Sequence, residues 1–255
     1  MIYPTPQTIG NSIQEKIHGL FDSITTYLPK DGMKITQLCR DLEKLGKVDA
    51  KNQSLLLVSL HTLCGDREQA EYYLRNSKKI HVAQVDIALA ELTMLINLGY
   101  FSESIPVLRA LVYPTSGSLT KFLSSPPGNG AFHILNSILD MAKTMNLANV
   151  AESSGAFATV VRIMDQWGDT DEDYSRVLDI AGAMLREKNL IYQDGMVTVP
   201  VETPPDGGFG YVKLSYRIAV DFDTAIDMTC KYAERLASSH LKIPQSMMFE
   251  FEATA

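Results

Sequence analysis

The chain has 255 residues, of which 45% are apolar and 21% charged, and its formal net charge is −7. Those proportions belong to a folded globular chain rather than a disordered one. The acidic balance argues against nonspecific binding to DNA or RNA, which relies on Lys and Arg to neutralise phosphates.

The opening Met1 to Pro6 lacks the basic and apolar regions of a secretory signal. The longest weakly polar stretch, Val82 to Leu98, is broken by Gln84, Asp86 and Glu91. A spanning helix needs about 20 apolar residues, so no membrane segment is expected. Cys39, Cys64 and Cys230 are odd in number and far apart, as expected of reduced, partly buried thiols in a cytoplasmic protein.

Apolar residues follow a helical period from Pro6 to about Leu190. Thr8 to Leu28 is the first expected helix, stopped by Pro29 and Gly32. Met33 to Leu45 is the second, closed by Gly46 in a position that favours a left-handed backbone. Lys51 to Cys64 with Glu68 to Lys79 forms a helix pair around Gly65. Val85 to Leu98 with Ser102 to Val112 forms another around Gly99. Segment 114–130 is rich in Ser, Pro and Gly and reads as a flexible loop, with Leu119, Phe122 and Leu123 in its middle. Helix resumes over Ala131 to Met145 and Val150 to Trp167. Thr170 then caps a helix that places Tyr174, Val177, Leu178, Ala181 and Leu185 on one face, with Asp173 closing the box.

After Leu190 the period changes from 3.6 to 2. Val197, Val199 and Val201 alternate with polar or proline positions, and so do Val212, Leu214, Tyr216, Ile218 and Val220. Pro200 cannot donate to a ladder, which predicts an edge or bulged strand. A helix from Asp223 to about Ser239 and a terminal strand at Met247 to Glu252 complete a β-β-α-β tail. The expected fold is mainly α, a helical-hairpin array carrying a small C-terminal α+β unit. The corresponding regions are 1–113, a loop at 114–130, a helical continuation at 131–190 and the α+β unit at 191–255.

Gly65 and Gly99 lie 34 residues apart. At the same offset Ala70 matches Ser104 and Leu74 matches Leu108. This resembles the tetratricopeptide repeat, whose period is 34, with a turn glycine and a small residue five positions on. The small residue lets the second helix approach the first closely. The resemblance spans 51–112 and is partial: the family's aromatics fall on Ser54, Ala88, His61 and Leu95. Two ordinary hairpins with coincident spacing are the alternative. Two repeats need flanking helices to cap them.

The resemblance implies a protein-interaction module, an adaptor, chaperone or assembly subunit, with Asn52, Ser59, Thr62, Asp86, Thr93 and Ile96 near the binding face. Leu55 and Leu89 stand where a carboxylate clamp would use cations, so another protein's helix, apolar segment or subunit is the expected partner. The terminal strand offers a second contact if it lies at an edge. Residues 173–220 are similar, more weakly, to the recognition helix and wing of a winged-helix domain, as in regulators or scaffold subunits with a PCI domain. That helix carries Asp171, Glu172, Asp173, Asp179 and Glu187 against Arg176, Arg186 and Lys188, a poor charge pattern for DNA.

The sequence names no catalytic, cofactor or metal residue. Asp169, Asp171 and Asp173 open like a calcium loop, but Tyr174 and Ile180 occupy its glycine and closing-glutamate positions. The acids fit better as complements to a helix dipole. Gly207 to Gly210 reads as a hairpin tip that places Phe209 on the sheet or against a partner. Cys230 reads as a small buried hydrophobe, too far along its helix from His240 to act with it. His18, His61, His81 and His133 show no metal spacing.

Overall fold

The computed structural model describes residues 6–111, 128–144, 154–193, 196–202 and 210–254. Ten helices and a small C-terminal sheet lie among them, so the fold is mainly α with an α+β tail. The chain divides into two compact units. The first holds residues up to Leu98 together with Leu185–Gln193; the second holds Gly99–Met184 and Asp194–Ala255. This division differs from the regions expected from sequence. It falls between the two helices of the second pair and returns the chain to the first unit after residue 184. Most of the 114–130 loop, including Leu119, Phe122 and Leu123, lies outside the described residues.

The first unit contains α1 (Pro6–Ser23), α2 (Met33–Gly46), α3 (Ala50–Leu63), α4 (Arg67–Lys79) and α5 (Gln84–Asn97). Helix α3 is its axis, packed by the other four. That role suits its composition, because Leu56, Leu57, Val58, Leu60 and Leu63 bury most of its circumference. Helix α2 contributes one stripe, Ile35, Leu38, Leu42 and Leu45. The α3 and α4 starts are capped by Asp49 and Asp66, whose carboxylates accept from the Asn52 and Gln69 N–H groups.

Helix α1 stops five residues before the expected end. Thr26 instead pairs antiparallel with Leu190, and Ile191 N–H donates to Thr25 O at 3.2 Å. Ile24, Thr25 and Thr26 are β-branched, which favours this extended pairing over another helical turn. Ile191 enters the core made by α1, α2 and α3. Gly46 is also a correction: it is the last residue of α2, and Lys47 follows in right-handed conformation. A side chain at Gly46 would meet only the movable amide end of Gln53, so neither a left-handed turn nor a backbone contact requires glycine there.

The turn between α3 and α4 requires its glycine. Gly65 has φ +67, and Asp66 N–H closes the helix end on His61 O at 2.9 Å. Gly99 has the same φ of +67. Beyond the first turn Ala70 is fully buried, at 0% exposure, and Ser77 Oγ donates to Ser54 Oγ at 2.8 Å across the pair. Ala70→Leu is therefore expected to cost about 1–3 kcal/mol by overpacking. Urea unfolding measures it, and an unchanged midpoint would mean that α3 and α4 yield there.

The second unit contains α6 (Phe101–Ala110), α7 (Phe132–Thr144), α8 (Ser154–Trp167), most of α9 (Asp171–Glu187), and α10 (Phe222–Ser238) with the sheet. Helix α9 buries Tyr174, Val177, Leu178, Ala181 and Leu185, the expected face. Its start is the expected box: Asp173 N–H donates to Thr170 Oγ1 at 3.1 Å, and Thr170 N–H to Asp173 Oδ2 at 3.1 Å.

Strand β3 (Tyr211–Ile218) is the centre of the sheet. One edge pairs antiparallel with β1 (Val197–Thr198) and β2 (Val201–Glu202), in one register: Val197 faces Tyr216 and Val201 faces Val212. The ladder is interrupted at Val199 and Pro200, although Pro200 O still accepts from Lys213 N. The other edge pairs parallel with β4 (Met247–Ala253), delivered by α10 as a crossover. Tyr232 of α10 lies on Phe249, ring centroids 4.3 Å apart. Cys230 is exposed, not buried, because α10 turns Ala225, Met228 and Tyr232 toward the sheet.

Candidate functional site

Two regions carry the polar chemistry, and each lies within one unit. The first is the helical face expected to bind a partner. Asn52 is half-buried, and Gly10 of α1 lies so close that a side chain there would overlap the Asn52 amide. Ser59 is half-buried. Thr62 is 1% exposed and its hydroxyl donates to Val58 O at 2.8 Å, so its side chain offers no surface. The α3 part of the face is thus largely occupied by the chain's own neighbours. On α5 the positions one repeat later are more open: Asp86 and Thr93 are exposed, and Leu89 and Ile96 are half-buried beside them. Phe209 lies outside the described residues.

The second region is a cleft of about 580 Å³ in the second unit, lined by Arg109, His133, Ser137, Asp165, Thr170 and Glu172 among others. Helix α7 starts there, and its orphan amides meet a carboxylate supplied by the first residue of α9. His133 N–H donates to Asp171 Oδ1 at 2.9 Å and Ile134 N–H to Asp171 Oδ2 at 3.0 Å. The His133 ring continues the contact, Nδ1 to Asp171 Oδ1 at 2.9 Å and Nε2 to Asp165 Oδ1 at 3.1 Å. Hydrogen bonding to Asp171 first, then to Asp165, raises its pKa to about 9 against partial burial.

An imidazolium held on both nitrogens by carboxylates has no lone pair to offer. It clamps helices rather than activating a nucleophile, and Ser137 Oγ is itself committed to His133 O at 2.9 Å. Arg109 and Glu172 pair at 2.5 Å across the same rim.

The three aspartates of the calcium-like run hold protein partners, and Lys242 lies near two of them, 2.6 Å from Asp173 and 3.9 Å from Asp169. Asp169 Oδ2 accepts from Ser246 N–H at 2.9 Å and Ser246 Oγ at 2.6 Å, Asp171 caps α7, and Asp173 holds Lys242 at 2.6 Å. Among the described residues no group of three or more potential ligands converges on a metal position, and no helix is long and apolar enough to cross a membrane.

Spacing gave no hint of the His133–Asp171 contact, because the two lie 38 residues apart and each looks like an ordinary helix-start residue. The only local signal was the acidic first turn of α9. No protein-family model, curated protein or solved structure matches this chain.

Proposed function

We propose that this protein is a noncatalytic interaction module of tetratricopeptide-like build, an adaptor, chaperone or assembly subunit that takes a helix or apolar segment of another protein on α5. The observation that carries this reading is the α5 face, where Asp86 and Thr93 are exposed and Leu89 and Ile96 are half-buried beside them. The matching φ of Gly65 and Gly99, and the burial of Ala70 where a close helix crossing needs a small residue, support the repeat. Three free thiols fit a cytoplasmic setting.

Strand β4 pairs only with β3 among the described residues, so the sheet offers a second contact. Glu250 and Glu252 do not guard that edge alone; they pair with Lys213 and Arg217 of β3. Removing the strand would also remove buried Ser246 and Phe251, so the deletion tests folding rather than binding. A winged-helix reading of 173–220 has less behind it. The hairpin does follow α9, but α9 opens on Asp171, Glu172 and Asp173, and the third strand arrives from the C-terminal side.

The test is native co-purification with quantitative mass spectrometry on the wild type and on an Ile96→Asp, Thr93→Arg variant. A partner recovered with the first and lost with the second, at unchanged circular dichroism, supports the reading. No partner, or one indifferent to the substitutions, defeats it.

A further inference from the structure

Strand β4 has β3 on one side, and among the described residues no strand lies on the other. Its register says which backbone groups look outward. At the two ends of the parallel ladder Val212 N–H donates to Ser246 O at 2.7 Å, and Thr254 N–H to Ile218 O at 2.9 Å. Ser246, Met248, Glu250, Glu252 and Thr254 therefore turn their N–H and C=O groups to β3. Met247, Phe249, Phe251 and Ala253 turn theirs away from it. Such an outward row is a template for another strand. The four outward residues carry no charge and include no proline, and Glu250 and Glu252 are held by Lys213 and Arg217 of β3. The usual deterrents to edge pairing are thus spent elsewhere or missing from the row.

Helix α10 supplies the guard instead. Phe251 N–H, on the third of the four outward residues, donates to Thr229 Oγ1 at 2.9 Å. The same oxygen lies 3.0 Å from Ala225 O, one turn back along the helix, and 3.4 Å from Phe251 O. Its one proton goes back to the helix carbonyl, a bond that selects the threonine rotamer and leaves the oxygen lone pairs for the strand. Packing delivers the hydroxyl to that place: Ala225, Met228 and Tyr232 are buried, and the Tyr232 ring lies 4.3 Å from that of Phe249. An added strand must take its bonds from every second residue of β4. With Phe251 engaged it finds only Met247 and Phe249 in succession.

We propose that Thr229 is a lock on the β4 edge, which closes the sheet to strand addition until its bond to Phe251 opens. The sheet's second contact is therefore latched in the free protein. The lock needs only the sheet and α10, and it stands whether or not a partner binds on α5.

Native-state hydrogen exchange followed by NMR tests it. In the wild type the outward Phe251 amide should exchange as slowly, within about tenfold, as the Glu250 and Glu252 amides that face β3. Thr229→Val keeps the shape and removes the hydroxyl; there the Phe251 amide should exchange about tenfold faster or more, at unchanged circular dichroism. Thr229→Ser should match the wild type. A fluorescent peptide with the sequence of residues 246–254 is the probe strand, and it should bind Thr229→Val about tenfold more tightly than the other two proteins. A Phe251 amide that exchanges freely in the wild type overturns the proposal even if the valine variant does not fold. So does an exchange rate indifferent to Thr229→Val, or a probe strand that binds all three proteins alike or none of them.

Discussion

Gly182→Ala is expected to destabilise the protein by about 3 kcal/mol, against the usual sign for a glycine inside a helix. On intrinsic propensity alone alanine would gain about 1 kcal/mol in the middle of α9. Sterics oppose that gain, because a Cβ at Gly182 would overlap the carbonyl oxygen of Gly99 and come within 2.8 Å of its Cα. Those atoms are backbone, so no flexible side chain can yield, and α9 must move away from the start of the second unit. Gly19 is the internal control. It lies in α1, and a Cβ built there meets nothing within 4 Å. Gly19→Ala should therefore stabilise by about 0.5–1 kcal/mol. Urea titration of both variants gives opposite shifts of midpoint. Equal shifts would show that the approach of α9 to Gly99 is looser than described.

Asp171→Ala is expected to cost about 2–3 kcal/mol near neutral pH, since it removes the carboxylate that caps α7 and one of the two anions holding His133. The figure stays at the low end because the His133 side chain is 33% exposed and water screens the ion pair. The pH dependence follows from sign. The folded-state pKa of His133 is raised to about 9 from an ordinary 6.5. The clamp's contribution is thus complete below about pH 6.5 and is lost as pH rises through about 9. Stability measured at about pH 6 and about pH 10 should differ in the wild type, and the difference should shrink in Asp171→Ala and in His133→Gln. A wild-type stability that is flat across that window would remove the imidazolium clamp.

Elements with strong periodicity are legible in the sequence. The stripe of α2, the buried face of α9, the Thr170–Asp173 box and the change of period after Leu190 all reflect local rules, and the structure has each of them. What failed depended on distant partners. Nothing near Thr25 and Thr26 says that residues 189–191 will arrive to pair with them and halt the helix. Cys230 looked buried because both faces of its helix carry apolar residues, and period alone does not say which face meets the sheet. The candidate face was half legible for the same reason. Its positions on α3 and α5 are equivalent in register, yet α1 packs against the α3 positions. His133 met Asp171 through the helix start that both serve, a contact with no trace in spacing.

The return of Leu185–Gln193 to the first unit has a consequence for how the chain is made. A ribosome releases the first five helices long before it releases Ile191, whose side chain completes their core. The N-terminal helices must therefore wait, partly uncovered, while some ninety residues of the second unit are synthesised. Until then Ile24 to Tyr27 has no strand to pair with, and a fragment ending at Leu98 would expose the apolar surface that Ile191 covers. The closure of Thr26 on Leu190 is thus a contact of high sequence separation, which forms only after the second unit's helices have been made.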